Sequence, residues 1–527
     1  MTRATTSRRS TTRASKSTTA DERTHVGVAI IGSGFAGLGA AIRLRKDGRD
    51  DFLVIERGSE VGGTWRDNTY PGAACDVPSH LYSYSFELNP NWSRSFSPQP
   101  EIQAYLRGVA EKYDVNANCL FDTEVTLAQW DEASSQWLVD TTNGNFSADV
   151  LVGAVGALAE PALPDIKGIE SFAGEVFHSA RWNHDVSLEG KRVAIIGTGA
   201  SAIQIGPAIA SQVSHLDVYQ RTAPWVMPRR DREYTKLESI AYKRVPYLQR
   251  AAREAIYWGR ESFVLGFAFQ PKILLAAQRM AKANIAKGIK DPELRKKVTP
   301  NWQIGCKRIL ISNTWYPMLA QDNVDLVTDG IAEVRPNAIV TKDGTVREVD
   351  AIIVATGFHV TDSPTYERIV GVGGRTLAEV WQEKGQQAYK GASVAGFPNM
   401  LFVVGPNTGL GHSSMVYMIE SHINYLSSAL QEMDKHGLAT FEVREDRQRS
   451  FNEKLQDHMD STIWTTGGCA SWYLDAHGNN TTLWPSFTFV FRQMTRRFDR
   501  EAYRTTARSD QAERGLTLVP TKEEVSA

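Results

Sequence analysis

The sequence predicts an α/β fold with two Rossmann-like dinucleotide-binding domains, the second inserted in the first. Residues 28–31 and 193–196 both read Val-Ala-Ile-Ile, the apolar run of a buried strand, and each run enters a glycine-rich turn followed by a helix-like segment. Backbone N–H groups and a helix N-terminus at such a turn can hold a pyrophosphate. The turn residues are Gly32, Gly34, Phe35, Ala36 and Gly37 in the first copy and Gly197, Thr198, Gly199, Ala200 and Ser201 in the second. Two bound dinucleotides are therefore expected.

The end of the next predicted strand in each unit indicates which dinucleotide is bound. Glu56 lies 24 positions after Gly32, where a carboxylate accepts hydrogen bonds from ribose hydroxyls. Arg221 lies 24 positions after Gly197 and precedes Thr222, and a guanidinium there can bind a 2′-phosphate that a carboxylate would repel. The first site is predicted to bind FAD and the second NADPH, although the first turn alone could also belong to an unrelated α/β domain.

Length and composition indicate a globular protein of about three domains. The chain has 527 residues, 42% of them hydrophobic, and a net charge of −1, which gives no indication of nucleic acid binding. The apolar stretch 26–42 is explained by the first strand, turn and helix, so no membrane span is predicted. Residues 1–25 are rich in Ser, Thr and Arg, lack the apolar features of a targeting peptide, and are predicted to be disordered. A cytoplasmic location is therefore the expectation.

The four cysteines, Cys75, Cys119, Cys306 and Cys469, show no CxxC spacing. This pattern argues against a zinc site and against a disulfide-reductase pair, and it favours a reducing compartment. The histidines also lack metal-ligand spacing, so no metal is predicted.

The order of the segments predicts a split first domain. Two apolar runs, at 350–358 and 400–404, follow the second glycine turn and are typical of buried parallel strands. Residues 231–300 contain few glycines and have a helix-compatible composition, which predicts a helical insertion. The predicted domains are FAD-binding at 26–153 and 350–500, NADPH-binding at 154–349, and a C-terminal tail at 501–527.

Segment 263–277 of the insertion admits two interpretations. It could form an amphipathic helix at a membrane surface. Pro271 and Lys272 would interrupt such a helix, so packing over a substrate cavity is favoured and membrane contact is not expected.

Three further motifs lie beside the two glycine turns. Residues 172–182 read FxGxxxHxxxW, followed by Asn183, and residues 62–76 read GGxWxxxxYPGxxxD. The third motif is the pair Lys307 and Arg308. Together they resemble the motifs of type I Baeyer–Villiger monooxygenases, although that family commonly has Pro or Asp at the position of Asn183. The related flavin-containing monooxygenases usually lack the tryptophan, so the Baeyer–Villiger type is favoured.

The resemblance implies an enzyme that uses FAD, NADPH and O2 to insert one oxygen atom next to a ketone carbonyl, giving an ester or lactone through a C4a-peroxyflavin. It implies that Arg308 stabilises the developing negative charge, because a guanidinium keeps its proton, and that Asp76 positions it beside the flavin. Lys307 would join Arg221 and Thr222 at the 2′-phosphate. Further cofactor-binding residues implied by the matched regions are Thr64, Trp65, Tyr82, Met415 and Trp472.

Several alternatives stay open at the level of the sequence. Core packing is the other interpretation of Met415 and Trp472, and an ordinary surface ion pair is the other interpretation of Arg308 and Asp76. The enzyme could instead oxygenate nitrogen or sulfur, or pass electrons from NADPH without oxygen transfer, or be a flavin-dependent binding or sensor protein. The sequence indicates neither the size of the ketone nor the oligomeric state.

Overall fold

The computed structural model describes residues 23–469, 471–475 and 477–508. Within these residues the strands are β1 (Thr24–Ile31), β2 (Phe52–Ile55), β3 (Cys119–Leu120), β4 (Val125–Asp131), β5 (Gln136–Thr141), β6 (Asn145–Gly153), β7 (Glu175–His178), β8 (Arg192–Ile196), β9 (His215–Tyr219), β10 (Val226–Met227), β11 (Leu310–Ile311), β12 (Val324–Val327), β13 (Ile331–Arg335), β14 (Ala338–Thr341), β15 (Val346–Glu348), β16 (Ala351–Val354), β17 (Ile369–Val370), β18 (Met400–Phe402), β19 (Leu438–Val443) and β20 (Tyr503–Ala507).

The α-helices of the same residues are α1 (Phe35–Lys46), α2 (Thr64–Asp67), α3 (Gln99–Lys112), α4 (Ala202–Ile209), α5 (Lys236–Arg244), α6 (Pro246–Glu261), α7 (Leu274–Gly288), α8 (Pro292–Val298), α9 (Trp315–Leu319), α10 (Leu377–Lys384), α11 (Met415–His436), α12 (Glu445–Met459), α13 (Ile463–Thr466) and α14 (Thr488–Met494).

The first glycine turn follows β1 in an eight-stranded sheet. The strand order is β17-β4-β5-β6-β1-β2-β3, with β18 also paired to β6. β1 is parallel to β2 and β6, whereas β4, β5 and β6 are antiparallel neighbours. Val28 and Ile30 pack into the core that contains α1 and α11, and Ala29 and Ile31 pack into the core that contains Trp381 of α10. Because both faces of β1 are covered, its sequence is a continuous apolar run.

The second glycine turn follows β8 in a five-stranded parallel sheet of order β12-β9-β8-β16-β7. This sheet corrects the predicted boundary at residue 350, because β16 pairs with β8 and β7 and not with the first sheet. β18, in contrast, does join the first sheet, next to β6. A continuous apolar run predicts a buried parallel strand, but it carries no information about which of two parallel sheets the strand joins.

Both predicted tails include residues that belong to strands. Thr24 and His25, assigned to the disordered segment 1–25, open β1, and residues 1–22 lie outside the described residues. At the other end, β20 pairs antiparallel with β19, within the predicted tail 501–527. Tyr503 anchors this strand, because its buried ring packs against Phe498.

Residues 231–300 contain four α-helices, α5 to α8. Thr235 and Glu238 form a capping box at the start of α5, and proline is the first residue of α6 and of α8. Segment 263–277 is not one helix, because a π-helix at Leu265–Phe269 and a 3-10 turn at Pro271–Ile273 precede α7. In the part of the chain that the structure describes, every helix is too short or too polar to cross a membrane.

Candidate active site

Glycine is required at the first turn because the backbone there is tightly packed. Gly32 has a φ of +100°, and a Cβ at this position would lie 2.8 Å from the carbonyl oxygen of Ala154. A Cβ at Gly37 would lie 1.8 Å from the carbonyl oxygen of Gly32. Gly63, with a φ of +53°, faces the turn, since its Cβ would lie 3.0 Å from the Cα of Gly34. The N-terminus of α1 is thus left open for a bulky anionic group.

Glu56 is held in place at the end of β2. Its carboxylate accepts hydrogen bonds from the backbone N–H of Ser33 at 2.9 Å, from the Ser33 hydroxyl at 2.7 Å and from the backbone N–H of Gly58 at 2.8 Å. Arg66, which no sequence motif indicated, forms an ion pair with Glu56 at 2.7 Å. Burial alone would raise the pKa of Glu56, but the charge of Arg66 and these hydrogen bonds outweigh it and lower the pKa. Glu56 is therefore an ionised acceptor beside the glycine turn.

A cavity of about 360 Å³ brings most of the predicted flavin residues together. Its wall includes Gly32, Gly34, Phe35, Ala36, Glu56, Thr64, Trp65, Tyr82, Arg308, Met415 and Trp472. Trp65 and Tyr82 are fixed to each other, because the indole N–H donates to the Tyr82 hydroxyl at 3.0 Å. A glycine turn at a helix N-terminus, an ionised carboxylate and an aromatic wall in one cavity fit a flavin dinucleotide.

Arg308 and Asp76 form an ion pair at this cavity. Nε and Nη2 of Arg308 donate to Oδ2 of Asp76 at 2.9 and 2.6 Å, and Nη1 donates to the carbonyl oxygen of Leu410 at 3.3 Å. Burial would raise the pKa of Asp76, but the charge of Arg308 outweighs it and holds the pKa below the ordinary value. The charge of Asp76 raises the pKa of Arg308. The cavity therefore has a permanent, oriented positive charge at its wall.

The helical insertion contributes a second guanidinium that the sequence did not indicate. Arg260 lies at the end of α6, and its Nη2 donates to the backbone carbonyl of Asp76 at 3.3 Å. Burial lowers the pKa of Arg260, although the charge of Asp76 acts in the opposite direction. No motif could have shown this contact, because it joins positions 184 residues apart.

The second turn has the same tight geometry and an open approach. Gly197 has a φ of +118°, and its Cβ would lie 2.4 Å from the carbonyl oxygen of Ala355. A Cβ at Gly199, in contrast, would meet no atom within 4 Å, so its backbone is accessible to a ligand. The hydroxyl of Thr198 donates to the carbonyl oxygen of Thr222 at 3.2 Å. Gln204 of α4 accepts a hydrogen bond from Tyr70 at 3.0 Å, so the helix after this turn contacts the segment 62–76.

Arg221 and Lys307 place two positive charges together. Burial, and then the charge of Arg221, lowers the pKa of Lys307. Neither side chain has an ion-pair partner among the described residues, and the Lys307 ammonium lies 5.6 Å from the centre of the Trp302 ring. Two neighbouring cations without a counter-charge form a site for an anion such as the 2′-phosphate of NADPH.

A disulfide joins Cys306 to Cys469, which the scattered spacing of the cysteines did not predict. The two residues are 163 positions apart, so no local motif reveals the pairing. This pairing runs against the interpretation of the cysteines as those of a reducing compartment. Since Cys306 directly precedes Lys307 and Arg308, the disulfide ties these residues to the loop that carries Trp472.

The FxGxxxHxxxW segment supports the second sheet and does not line the cavity. It contains β7, and Phe177 packs edge-on against Trp182 with ring centres 5.0 Å apart. His178 accepts a hydrogen bond from the backbone N–H of Ala180 at 3.1 Å, and burial lowers its pKa.

Among the described residues, one group has the composition of a metal site: His215, Asp217 and Asp325. Arg347 already forms ion pairs with Asp217 at 2.6 Å and with Asp325 at 2.9 Å. Arg347 therefore already pairs with both carboxylates of this group.

Comparison with known proteins agrees with this geometry. The model of the family "Pyridine nucleotide-disulphide oxidoreductase" matches residues 29–257. A Baeyer-Villiger monooxygenase of Streptomyces coelicolor is 52% identical over 481 residues, which cover 91% of this chain and 92% of the relative. Another, of Pseudomonas aeruginosa, is 51% identical and covers 92% of each chain.

Solved structures with the same fold extend over nearly the whole chain. Cyclohexanone monooxygenase from Rhodococcus sp. Phi1, bound to NADP+, has a TM-score of 0.83 and 27% identity, covering 92% of this chain and 100% of its own. Oxidized steroid monooxygenase bound to NADP has a TM-score of 0.79 and 32% identity, covering 93% and 98%. With its two dinucleotide-binding folds and the Arg308–Asp76 pair, the chain belongs to the Baeyer–Villiger monooxygenase family.

Proposed function

We propose that the chain is an FAD- and NADPH-dependent monooxygenase in which Arg308, positioned by Asp76, stabilises negative charge during oxygen insertion next to a ketone carbonyl. The observation that carries this proposal is the ion pair between the two residues at the wall of the cavity. Their pKa shifts keep both groups ionised. A fixed guanidinium needs no reorganisation when charge develops on oxygen, which is the main requirement for electrostatic catalysis.

The first site would hold FAD through the turn Gly32–Gly37, with Glu56 as the acceptor for ribose hydroxyls. Thr64, Trp65 and Tyr82 would line the flavin. When bound and reduced, FAD supplies the activation of O2. The protein supplies orientation, the positive charge of Arg308 and a cavity that limits access of water.

The second site would hold NADPH. The turn Gly197–Ser201 would bind the pyrophosphate, because the backbone of Gly199 is accessible. Arg221, Lys307 and Thr222 would bind the 2′-phosphate. The disulfide at Cys306 would hold the positions of Lys307 and Arg308. This one segment would then contribute Lys307 to the NADPH site and Arg308 to the flavin site.

We place the end of the NADPH-binding domain after β16, and the FAD-binding domain in the remaining sheet and its helices. Met415 and Trp472 line the cavity, together with Leu410 and Tyr473. These side chains form an apolar region next to Arg308, which suits the carbon skeleton of a ketone.

Product analysis tests this function against oxygenation of soft nucleophiles and against simple NADPH oxidation. The holoenzyme is incubated with NADPH, O2 and a panel of cyclic, linear, aromatic and steroid-sized ketones, and in parallel with a thioether. We expect ester or lactone formation that accounts for most of the NADPH consumed. Sulfoxide as the principal product, or NADPH consumption matched by hydrogen peroxide with every ketone, would contradict the proposal.

A further inference from the structure

The outer surface of the helical insertion exposes many apolar side chains. Around the start of α7, Phe263, Leu265, Phe269, Ile273 and Leu275 each expose between 45% and 54% of their surface. The preceding helices expose a second set: Leu237, Ile240, Val245, Tyr247, Leu248 and Trp258. Single exposed apolar residues are ordinary, but a concentration of this size marks an interaction surface.

Four aromatic rings make part of this surface continuous, and we call them the aromatic ridge. Trp258 lies 5.9 Å from Phe489, Phe489 lies 5.1 Å from Phe487, and Phe487 lies 5.6 Å from Phe269, measured between ring centres. The ridge thus connects α6, the segment before α7, and the start of α14. The same segment has a buried side, where Phe267 stacks on Trp464. Segment 263–277 therefore has an inner face packed on the protein and an outer face that no residue of the described part of the chain covers.

The charge of the insertion differs sharply from that of the whole chain. Residues 231–300 contain fifteen Lys and Arg and seven Asp and Glu, a net charge of +8, whereas the chain as a whole has −1. The remaining sequence therefore carries −9. Such an asymmetry directs one side of the molecule toward a negatively charged partner.

Basic and apolar side chains alternate on the same exposed helix surface. Lys272, Arg279 and Lys282 are exposed and have no ion-pair partner among the described residues. Lys272 directly precedes the exposed Ile273 in the sequence. Arg279 directly precedes the exposed Met280, and Lys282 lies two positions after Met280. Free basic groups interleaved with exposed apolar groups are the pattern of helices that lie in an anionic membrane interface.

We infer that the outer face of the insertion, from α5 to α7 with the aromatic ridge, docks on the surface of a bilayer that contains anionic lipids. Charge complementarity selects this partner, because the apolar groups alone would suit any apolar surface. The aromatic ridge would enter the boundary between headgroups and acyl chains, and Lys272, Arg279 and Lys282 would contact lipid phosphates. The sequence predicted no membrane contact, because Pro271 and Lys272 would interrupt a helix over 263–277. Docking by this surface requires an exposed face and does not require a continuous helix.

Docking would also bring the active site close to the membrane. Arg260, two residues after Trp258, contacts Asp76, and the buried side chains of Glu261 and His412 are hydrogen-bonded at 3.2 Å. The inner side of the same helix thus contacts the residues around Arg308.

Vesicle co-sedimentation of the full-length, FAD-loaded chain tests the inference. We expect sedimentation with vesicles that contain phosphatidylglycerol, little with phosphatidylcholine alone, and a decrease as salt is added. Each basic residue near an anionic surface contributes roughly fivefold, so loss of the three positive charges alone should weaken binding by about 100-fold. Reversing Lys272, Arg279 and Lys282 to Glu should therefore weaken binding by at least this factor. The matched control reverses three exposed lysines elsewhere, Lys342, Lys435 and Lys454, and should retain most of the binding.

A second variant tests the apolar part of the surface. Phe269→Ser with Ile273→Ser should lower vesicle binding without changing flavin content or the thermal transition, because both side chains are more than half exposed. Absence of sedimentation with anionic vesicles would overturn the inference, as would equal losses in the two charge-reversal variants. A concentration-dependent oligomer in light scattering that Phe269→Ser with Ile273→Ser dissociates would also overturn it, since a second copy would then cover this face.

Discussion

At the scale of single residues, we propose that two neighbouring cations set the preference for NADPH over NADH. Arg221 and Lys307 have no carboxylate partner among the described residues, and the charge of Arg221 lowers the pKa of Lys307, so the two cations repel each other. A 2′-phosphate relieves that repulsion and accepts hydrogen bonds from both groups. NADH lacks the 2′-phosphate and therefore cannot form these charge-assisted hydrogen bonds with Arg221 and Lys307.

Arg221→Ala should therefore weaken the use of NADPH and leave NADH almost unaffected. Charge-assisted hydrogen bonds contribute about 1.5–3 kcal/mol, which corresponds to about 10- to 150-fold in kcat/KM for NADPH. Steady-state kinetics with both cofactors make the comparison. Equal losses with NADPH and NADH would show that Arg221 acts in some other way.

Glu56 is the corresponding residue of the proposed flavin site, and the charge of Arg66 helps to keep it ionised. Glu56→Gln would leave the partly buried Arg66 with Asp67 as its remaining ion-pair partner, so we expect a loss of about 1–3 kcal/mol in the free energy of unfolding and weaker FAD retention. The pKa of Glu56 is lowered in the folded protein. Its contribution is therefore present above the ordinary carboxyl pKa of about 4.3 and is lost as the pH falls further.

Urea unfolding and FAD fluorescence at several pH values check this prediction. The stability difference between wild type and Glu56→Gln should be full at neutral pH and should narrow on acidification. A difference that is independent of pH down to the acid transition would contradict the assigned charge state.

At the scale of elements, the disulfide connects the segment that contains Lys307 and Arg308 to the loop that contains Trp472. It joins Cys306, just before Lys307, to Cys469, just before the loop with Trp472. Cross-linking two segments this far apart restricts the unfolded chain, which typically stabilises a protein by about 2–4 kcal/mol. Cys75 and Cys119 are free, and burial raises the pKa of both thiols.

Thiol titration of the denatured protein should consequently detect two thiols without reductant and four after reduction. Cys469→Ser should lower the free energy of unfolding by about 2–4 kcal/mol, whereas Cys119→Ser serves as the control for loss of a free thiol. Four reactive thiols in the unreduced protein, purified without reductant, would contradict the disulfide.

At the scale of the whole molecule, the sequence predicted what is encoded locally. The two glycine turns, Glu56 and Arg221 were visible because strand, turn and helix follow one another directly. The two dinucleotide-binding domains and the helical insertion followed from the same kind of local pattern. What the sequence could not predict depends on long-range contacts: the sheet that β16 joins, the disulfide, and the contacts of Arg66 and Arg260.

In the proposed arrangement, one guanidinium lies between the two cofactor sites and acts in the oxygenating steps. Arg308 follows Lys307 of the nucleotide site, yet it lies on the wall of the flavin cavity and is held by Asp76 from the first domain. Asp76→Ala should be milder than loss of Arg308 itself, because the guanidinium would remain and lose only its positioning partner. Product yield in the two variants gives this order, and a larger loss in Asp76→Ala would contradict it.

The most direct test of the account is stopped-flow flavin reduction by NADPH in Arg308→Ala, measured together with ester or lactone yield. Removing a donor that acts on developing charge typically costs about 10² to 10³ in rate, or roughly 2.7–4 kcal/mol. Hydride transfer depends on the alignment of the two cofactors, so flavin reduction should persist. We predict intact reduction, loss of ester or lactone, and diversion of NADPH to hydrogen peroxide. Product formation near the wild-type rate would contradict the role of Arg308.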